Sequence, residues 1–245
     1  MRTNYIMDAK GQEILESIQV AKKFNLWMYE TISPFLGSKV FEVGSGIGNI
    51  SEIFFSHNDG KVMLSDLNPE YCDVLLQKFG TNDKCLGVES IDLIDPDFPI
   101  KYQKYFNHFD AVFALNVVEH IADDKLAIKN AKLLLKNTGR LIVLVPSYDF
   151  LYNKVDFELG HYKRYNRESL SEIFRLNNLQ IIHSQYFNFA GIPSWFINGK
   201  ILKNDGISVS KMKLFNEMVP IFRIADAIID NRIGLSTIVI GQKSE

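Results

Sequence analysis

A chain of 245 residues, 47% hydrophobic and 23% charged, can enclose one large domain's core, and that composition excludes a disordered or fibrous protein. Twenty-seven Lys and Arg against 29 Asp and Glu leave a net charge of −2, which argues against a general affinity for nucleic acid. Two cysteines, Cys72 and Cys85, are too few for a disulfide framework, and the stretch from Met1 to Glu13 has no apolar signal-peptide core. No uncharged apolar run approaches the ~20 residues of a membrane span, so a cytoplasmic protein without a transmembrane segment is expected.

The stretch Gly11–Phe35 reads as helical, and residues 1–37 are expected to form a cap over the main sheet. Lys39–Val43 reads as a strand that runs into glycines and then a helix from Asn49 to Ser56. A second strand is expected at Val62–Ser65. Pro69–Phe79 follows as a helix, with Tyr71, Val74, Leu75 and Phe79 on one face and Pro69 in its first turn. Cys85–Val88 is a third strand, and the nearly all-apolar Ala111–Leu115 suits a fourth strand covered on both faces. Asp123–Lys136 reads as a helix and Arg140–Val145 as a fifth strand. A helix at Arg167–Asn177, a strand at Gln180–Gln185 and a last strand at Leu235–Ile240 complete the chain. Between those last two strands an aromatic-rich insertion, residues 186–234, is expected to serve as a lid or acceptor-site wall. Its amphipathic part, Lys211–Asp230, suits a packing helix or a dimer surface, which leaves a homo-oligomer open. This alternation predicts a single α/β domain with a mostly parallel sheet, helices on both faces, and ligands beyond the carboxyl ends of the strands.

The strongest motif is Phe41-Glu42-Val43-Gly44-Ser45-Gly46-Ile47-Gly48-Asn49. A dinucleotide site uses G-x-G-x-x-G to present a helix N-terminus to a pyrophosphate. Here the spacing is G-x-G-x-G, and Glu42 stands two residues before the first glycine, where a carboxylate opposes a diphosphate and suits a cationic ligand. S-adenosylmethionine, with a sulfonium and an ammonium and no phosphate, meets that requirement. Asp66, at the end of the next strand, is placed to accept hydrogen bonds from both hydroxyls of a ribose. Asp92, after the third strand, is placed to face an adenine amino group; the alternative is a solvated acidic loop with Asp95 and Asp97.

These residues, with Phe109-Asp110-Ala111-Val112-Phe113-Ala114-Leu115-Asn116-Val117-Val118-Glu119-His120-Ile121, resemble the class I S-adenosylmethionine-dependent methyltransferases, of the small-molecule type, over roughly Val40–Val145. The resemblance implies a Rossmann-like fold with a seven-stranded sheet and a cofactor site built from Glu42, Gly44, Gly46, Gly48, Asp66, Leu67, Ile91, Asp92, Asn116 and Val117. In that pattern Gly44 and Gly46 contact the methionine part and Asp66 holds the ribose. Leu67, Ile91 and Asp92 border the adenine, and Asn116 and Val117 approach the cofactor from the fourth strand. Leu159-Gly160-His161-Tyr162-Lys163-Arg164-Tyr165 is similar to a subgroup often encoded near polysaccharide or glycosyltransferase genes.

The candidate catalytic residues are His161, Tyr165 and His120. His161, Arg164 and Tyr165 combine an imidazole, a fixed cation and a phenol after the fifth strand; the alternative pairs Arg164 with Asp156 or Glu158 and leaves the aromatics to pin the loop. For Glu119-His120 the alternatives are a general base at His120 and an anchor at the start of a helix. The five histidines show no close ligand spacing and the cysteines form no C-x-x-C, so no metal site is expected. Neither a G-x-S-x-G turn nor a G-K-[ST] phosphate loop occurs. The reading is a methyltransferase acting on a small-molecule or saccharide-like acceptor. A nucleic-acid or protein methyltransferase and a non-catalytic S-adenosylmethionine-binding regulator remain as rivals.

Overall fold

The computed structural model describes residues 19–197 and 209–244. Its elements are α1 (Lys22–Ile32), β1 (Lys39–Val43), α2 (Asn49–His57), β2 (Lys61–Ser65), α3 (Pro69–Phe79), β3 (Cys85–Glu89), α4 (Phe98–Lys101) and β4 (Phe109–Leu115). The second half adds α5 (Asp124–Leu134), β5 (Leu135–Pro146), α6 (Lys154–Glu158), α7 (Arg167–Leu176), β6 (Leu179–Phe187), α8 (Gly191–Phe196), α9 (Val209–Ile228) and β7 (Ser236–Lys243).

Seven strands form one sheet in the order β3-β2-β1-β4-β5-β7-β6. The first five pair parallel, while β7 runs antiparallel to both β5 and β6. This is the expected Rossmann-like methyltransferase architecture. Because β2 and β4 lie on opposite sides of β1, the chain leaves the carboxyl ends of β1 and β4 in opposite directions, and a crevice opens between them.

Strand alternation sorts the core into two layers. Phe41, Val112, Leu141 and Val143 face α5 and α7, packing on Ile128, Leu170 and Phe174. Val40, Phe113, Ile142 and Ile240 face the other way, onto Trp27 and Ile32 of α1, Phe54 of α2 and Val219 of α9. A fully buried phenylalanine such as Phe41 or Phe113 contributes about 1.5–3 kcal/mol, so these layers hold the strand ends in fixed positions.

Helix α3 has the bounds expected of it, with Pro69 in its first turn and the Asn68 side chain accepting from the Glu70 N–H at 2.9 Å. Helix α5 ends two residues before Lys136. Leu135 adopts an extended backbone and pairs with Phe109, burying itself in the sheet rather than extending a surface helix. Strand β6 continues to Phe187, so the insertion emerges later than the sequence pattern indicates.

Of the expected cap, α1 and a following turn at Ser33–Phe35 are described, and residues 1–18 lie outside the described residues. In the insertion, α8 and α9 are described and residues 198–208 are not. Asn216 of α9 accepts from the N–H groups of Lys23 and Phe24, at 2.8 and 3.2 Å, satisfying donors that the first turn of α1 leaves unpaired. Trp27 packs on Phe187 with ring centroids 4.3 Å apart. No helix among the described residues is long and apolar enough to cross a membrane.

Candidate active site

The loop after β1 takes positive φ at Gly44 (+68°), Gly46 (+54°) and Gly48 (+86°). A Cβ on Gly44 would stand 2.4 Å from Val117 Cγ2, so the loop after β1 and the loop after β4 meet here with no room for a side chain. At Gly48 a Cβ would stand 2.5 Å from the Phe79 ring, which lets α2 begin close against α3.

Glu42 is buried rather than solvated, and its Oε2 accepts from Ser51 Oγ at 2.6 Å. Burial pushes its carboxyl up to about 7, against the hydrogen bonds of Ser51 and Ser45, with the Asp66 charge adding to the rise. Asp66 accepts from the Gly46 N–H and the Asn68 N–H, each at 2.9 Å, so it fastens the glycine loop to the end of β2. Burial also raises its pKa. A cationic ligand group beside these two acids would favour their ionised forms, and a diphosphate would oppose them. The residues present therefore fit a ligand with cationic groups and a ribose.

The remaining predicted cofactor residues stand at the same sheet edge. Leu67 and Asp92 are half-buried, and Asp92 turns its own loop by accepting from the Ile94 N–H at 2.9 Å. Ile91 is buried in the core layer under β3. Asn116 is exposed with φ +55°, its N–H donating to Leu144 O, and Val117 leans over Gly44.

The other side of the crevice is built around Asp156. Its carboxylate accepts from Arg164 Nε and Nη2 at 2.9 and 3.1 Å, from the His161 ring Nδ1 at 2.9 Å and from the Asn153 N–H at 2.9 Å. Burial raises its pKa, but the His161 bond and the Arg164 guanidinium outweigh it and hold the carboxyl below its ordinary value. Arg164 is buried, donates to Ser147 O at 3.0 Å and lies over the Trp195 ring of α8. Pairing with Asp156 therefore accounts for Arg164.

Tyr165 is 2% exposed and its hydroxyl donates to Asp124 Oδ2 at 2.9 Å. Burial and the Asp124 charge raise its pKa. Expected among the acceptor-facing residues, Tyr165 instead stands inside the scaffold, packed in the core layer with its hydroxyl tied to Asp124.

His161 and His120 do come together, with ring centroids 4.6 Å apart. Burial pushes His120 down to about 4, assisted by the charge of His161 and opposed by a hydrogen bond to the Leu159 backbone. Glu119-His120 lies in a single tight turn, Val118–His120, and not at the start of α5, which Asp123 caps. Glu119 is fully buried beside them, and burial raises its carboxyl to about 8. Its convergence with His161 is a feature that the sequence spacing did not disclose.

Residues 41–141 match the family model described as a methyltransferase domain. No curated protein matches the chain. Among solved structures, a SAM-dependent methyltransferase from Archaeoglobus fulgidus is similar at 16% identity and a TM-score of 0.59, over 91% of this chain and 94% of that one. The Haemonchus contortus phosphoethanolamine N-methyltransferase 2, solved with S-adenosyl-L-methionine, is similar at 16% identity and a TM-score of 0.59, over 91% of this chain and 52% of that one. The [4+2]-cyclase SpnF shares the fold at 15% identity and a TM-score of 0.59, over 91% of this chain and 80% of that one. The sheet order and the glycine turn at its switch point are those of the class I S-adenosylmethionine-dependent methyltransferase fold, and the methyltransferase-domain match spans that turn and the strands on either side of it.

Proposed function

We propose that the enzyme methylates a small-molecule or saccharide-like acceptor. When bound, S-adenosylmethionine supplies an electrophilic methyl group on a sulfonium. Glu42 and Asp66 provide the negative charge that selects a cationic nucleoside ligand, and Gly44 lets the backbone approach it. Asp66 keeps lone pairs for the ribose hydroxyls, while Leu67, Ile91 and Asp92 border the adenine. Asn116 and Val117 close the cradle from β4. The observation that carries this reading is the junction of Glu42, Asp66 and the positive-φ glycines at one sheet edge.

The acceptor enters from the side of His120 and His161. His161 is oriented through Nδ1 by Asp156, and Tyr165 acts as a positioning residue that holds the loop through Asp124. Trp195 touches the Arg164 end of this network, which supports residues 186–234 as an acceptor-site wall, and α1, the described part of the expected cap, is braced against α9 through Asn216. A net charge of −2 disfavours nucleic acid as the acceptor, and two free cysteines suit a cytoplasmic setting.

The test is transfer of a labelled methyl group from S-adenosylmethionine to panels of hydroxylated small molecules, saccharides, nucleic acids and proteins, with mass spectrometry of the product. Labelling confined to the first two panels supports the reading. Labelled nucleic acid or protein would contradict it.

A further inference from the structure

Glu119 is fully buried, and neither carboxylate oxygen accepts a hydrogen bond from another residue. A buried carboxylate left in that state is costly unless a cation compensates it. The nearby cation, Arg164, directs its hydrogen bonds to Asp156 and Ser147. Donor atoms of Glu119, His120 and His161, one from each, all lie within 4.8 Å of one another, the group of three that converges in this way among the described residues.

We infer that Glu119, His120 and His161 form a binding site for one divalent transition-metal ion of the zinc class. Two imidazoles and a carboxylate, with no thiolate, are a donor set for Zn²⁺, Co²⁺ or Mn²⁺, whereas Ca²⁺ prefers oxygen donors throughout. Each ring has a hydrogen-bond partner of the type that orients a metal-ligating histidine. His161 commits Nδ1 to Asp156 Oδ1 at 2.9 Å, and the His120 ring hydrogen-bonds to the Leu159 backbone, partners of the carboxylate and carbonyl kind that leave a ring one further nitrogen to offer an ion.

The backbone already braces the cluster, because the Tyr162 N–H donates to Glu119 O at 2.8 Å and locks the β4 turn against the 161–165 loop. A tetrahedral ion with bonds of about 2.1 Å holds its donors roughly 3.4 Å apart, so side-chain rotations of about an ångström close the site. Three protein ligands leave a further position for water or an acceptor oxygen. The site rests on these residues alone and holds whether or not the acceptor is a saccharide.

The test uses the whole, untagged chain, stripped with a chelator, titrated with Zn²⁺ by calorimetry and with Co²⁺ by visible absorption. One ion per chain is expected, with ligand-field bands of a four- or five-coordinate Co²⁺ centre. Glu119→Gln preserves the side-chain shape and replaces the carboxylate ligand with a neutral amide, so the stripped variant should fold and melt no lower than the stripped parent. Its Zn²⁺ affinity should fall about tenfold or more, and His161→Ala should lower affinity likewise. Absence of stoichiometric binding of either ion, or undiminished affinity in folded Glu119→Gln, would overturn the site. If His161→Ala fails to fold, Glu119→Gln alone decides.

Discussion

Val117 Cγ2 occupies the space where a Cβ on Gly44 would stand, at 2.4 Å. Two loops that leave the sheet in opposite directions are thereby pressed together at the mouth of the crevice. Gly44→Ala must move Val117 and hold alanine at a φ of +68°. We expect a loss of about 1–3 kcal/mol in stability and at least tenfold weaker binding of S-adenosylhomocysteine, read by thermal melting and calorimetry. Retention of both would remove this contact from the account.

Asp66 carries two loads, the glycine loop and the ribose. Asp66→Ala should weaken cofactor binding by about 1–3 kcal/mol, the range for losing hydrogen bonds to a charged group. A folded variant with parental affinity would show that Asp66 serves the loop alone.

Glu42 has its folded pKa raised to about 7, so its contribution to stability is largest below its unfolded value and is lost as the pH rises toward 7. The ligand-free enzyme should lose on the order of 3 kcal/mol from this group between about pH 4.5 and pH 7. In Glu42→Gln, urea unfolding over the same range should show a flatter profile. An identical pH dependence in the two proteins would mean that Glu42 is not the group responsible.

Asp156 has the opposite sign. Its folded pKa is depressed, so the stability it provides is full above about 3.9 and disappears as the pH falls through the lower folded value. Removing its main cation leaves the carboxylate buried and uncompensated. Arg164→Met should cost about 3–5 kcal/mol in denaturant unfolding at neutral pH. A loss below about 1 kcal/mol would show that the pair is not structural.

His161 and Tyr165 separate the two roles near the crevice. His161→Ala should leave cofactor affinity intact and lower turnover about 100-fold or more once an acceptor is in hand. Tyr165→Phe should lose about 1–2 kcal/mol of stability, through the broken bond to Asp124, while turnover persists. Full turnover in His161→Ala would assign the ring to the scaffold.

Local signals carried much of this architecture. The bounds of β1 and α3 follow from a short apolar strand and from Asn68-Pro69 at a helix start, where the physics acts within a few residues. The glycine turn was equally legible, because positive φ and close approach demand glycine locally. Leu135 was not, since the gain from pairing with Phe109 is a tertiary effect that overrides helical periodicity. Nor was the docking of Asn216 on α1, across most of the chain. The Glu119–His120–His161 group stayed hidden for the same reason: its members meet only when the β4 turn packs on the loop after β5.

The central claim, that the cradle selects a cationic nucleoside cofactor over a dinucleotide, is tested most directly by calorimetric titration of the purified chain with S-adenosylmethionine, S-adenosylhomocysteine and NAD under one set of conditions. The account predicts saturable one-site binding of the first two and none of NAD. Binding of NAD with no response to either methionine-derived ligand would contradict it.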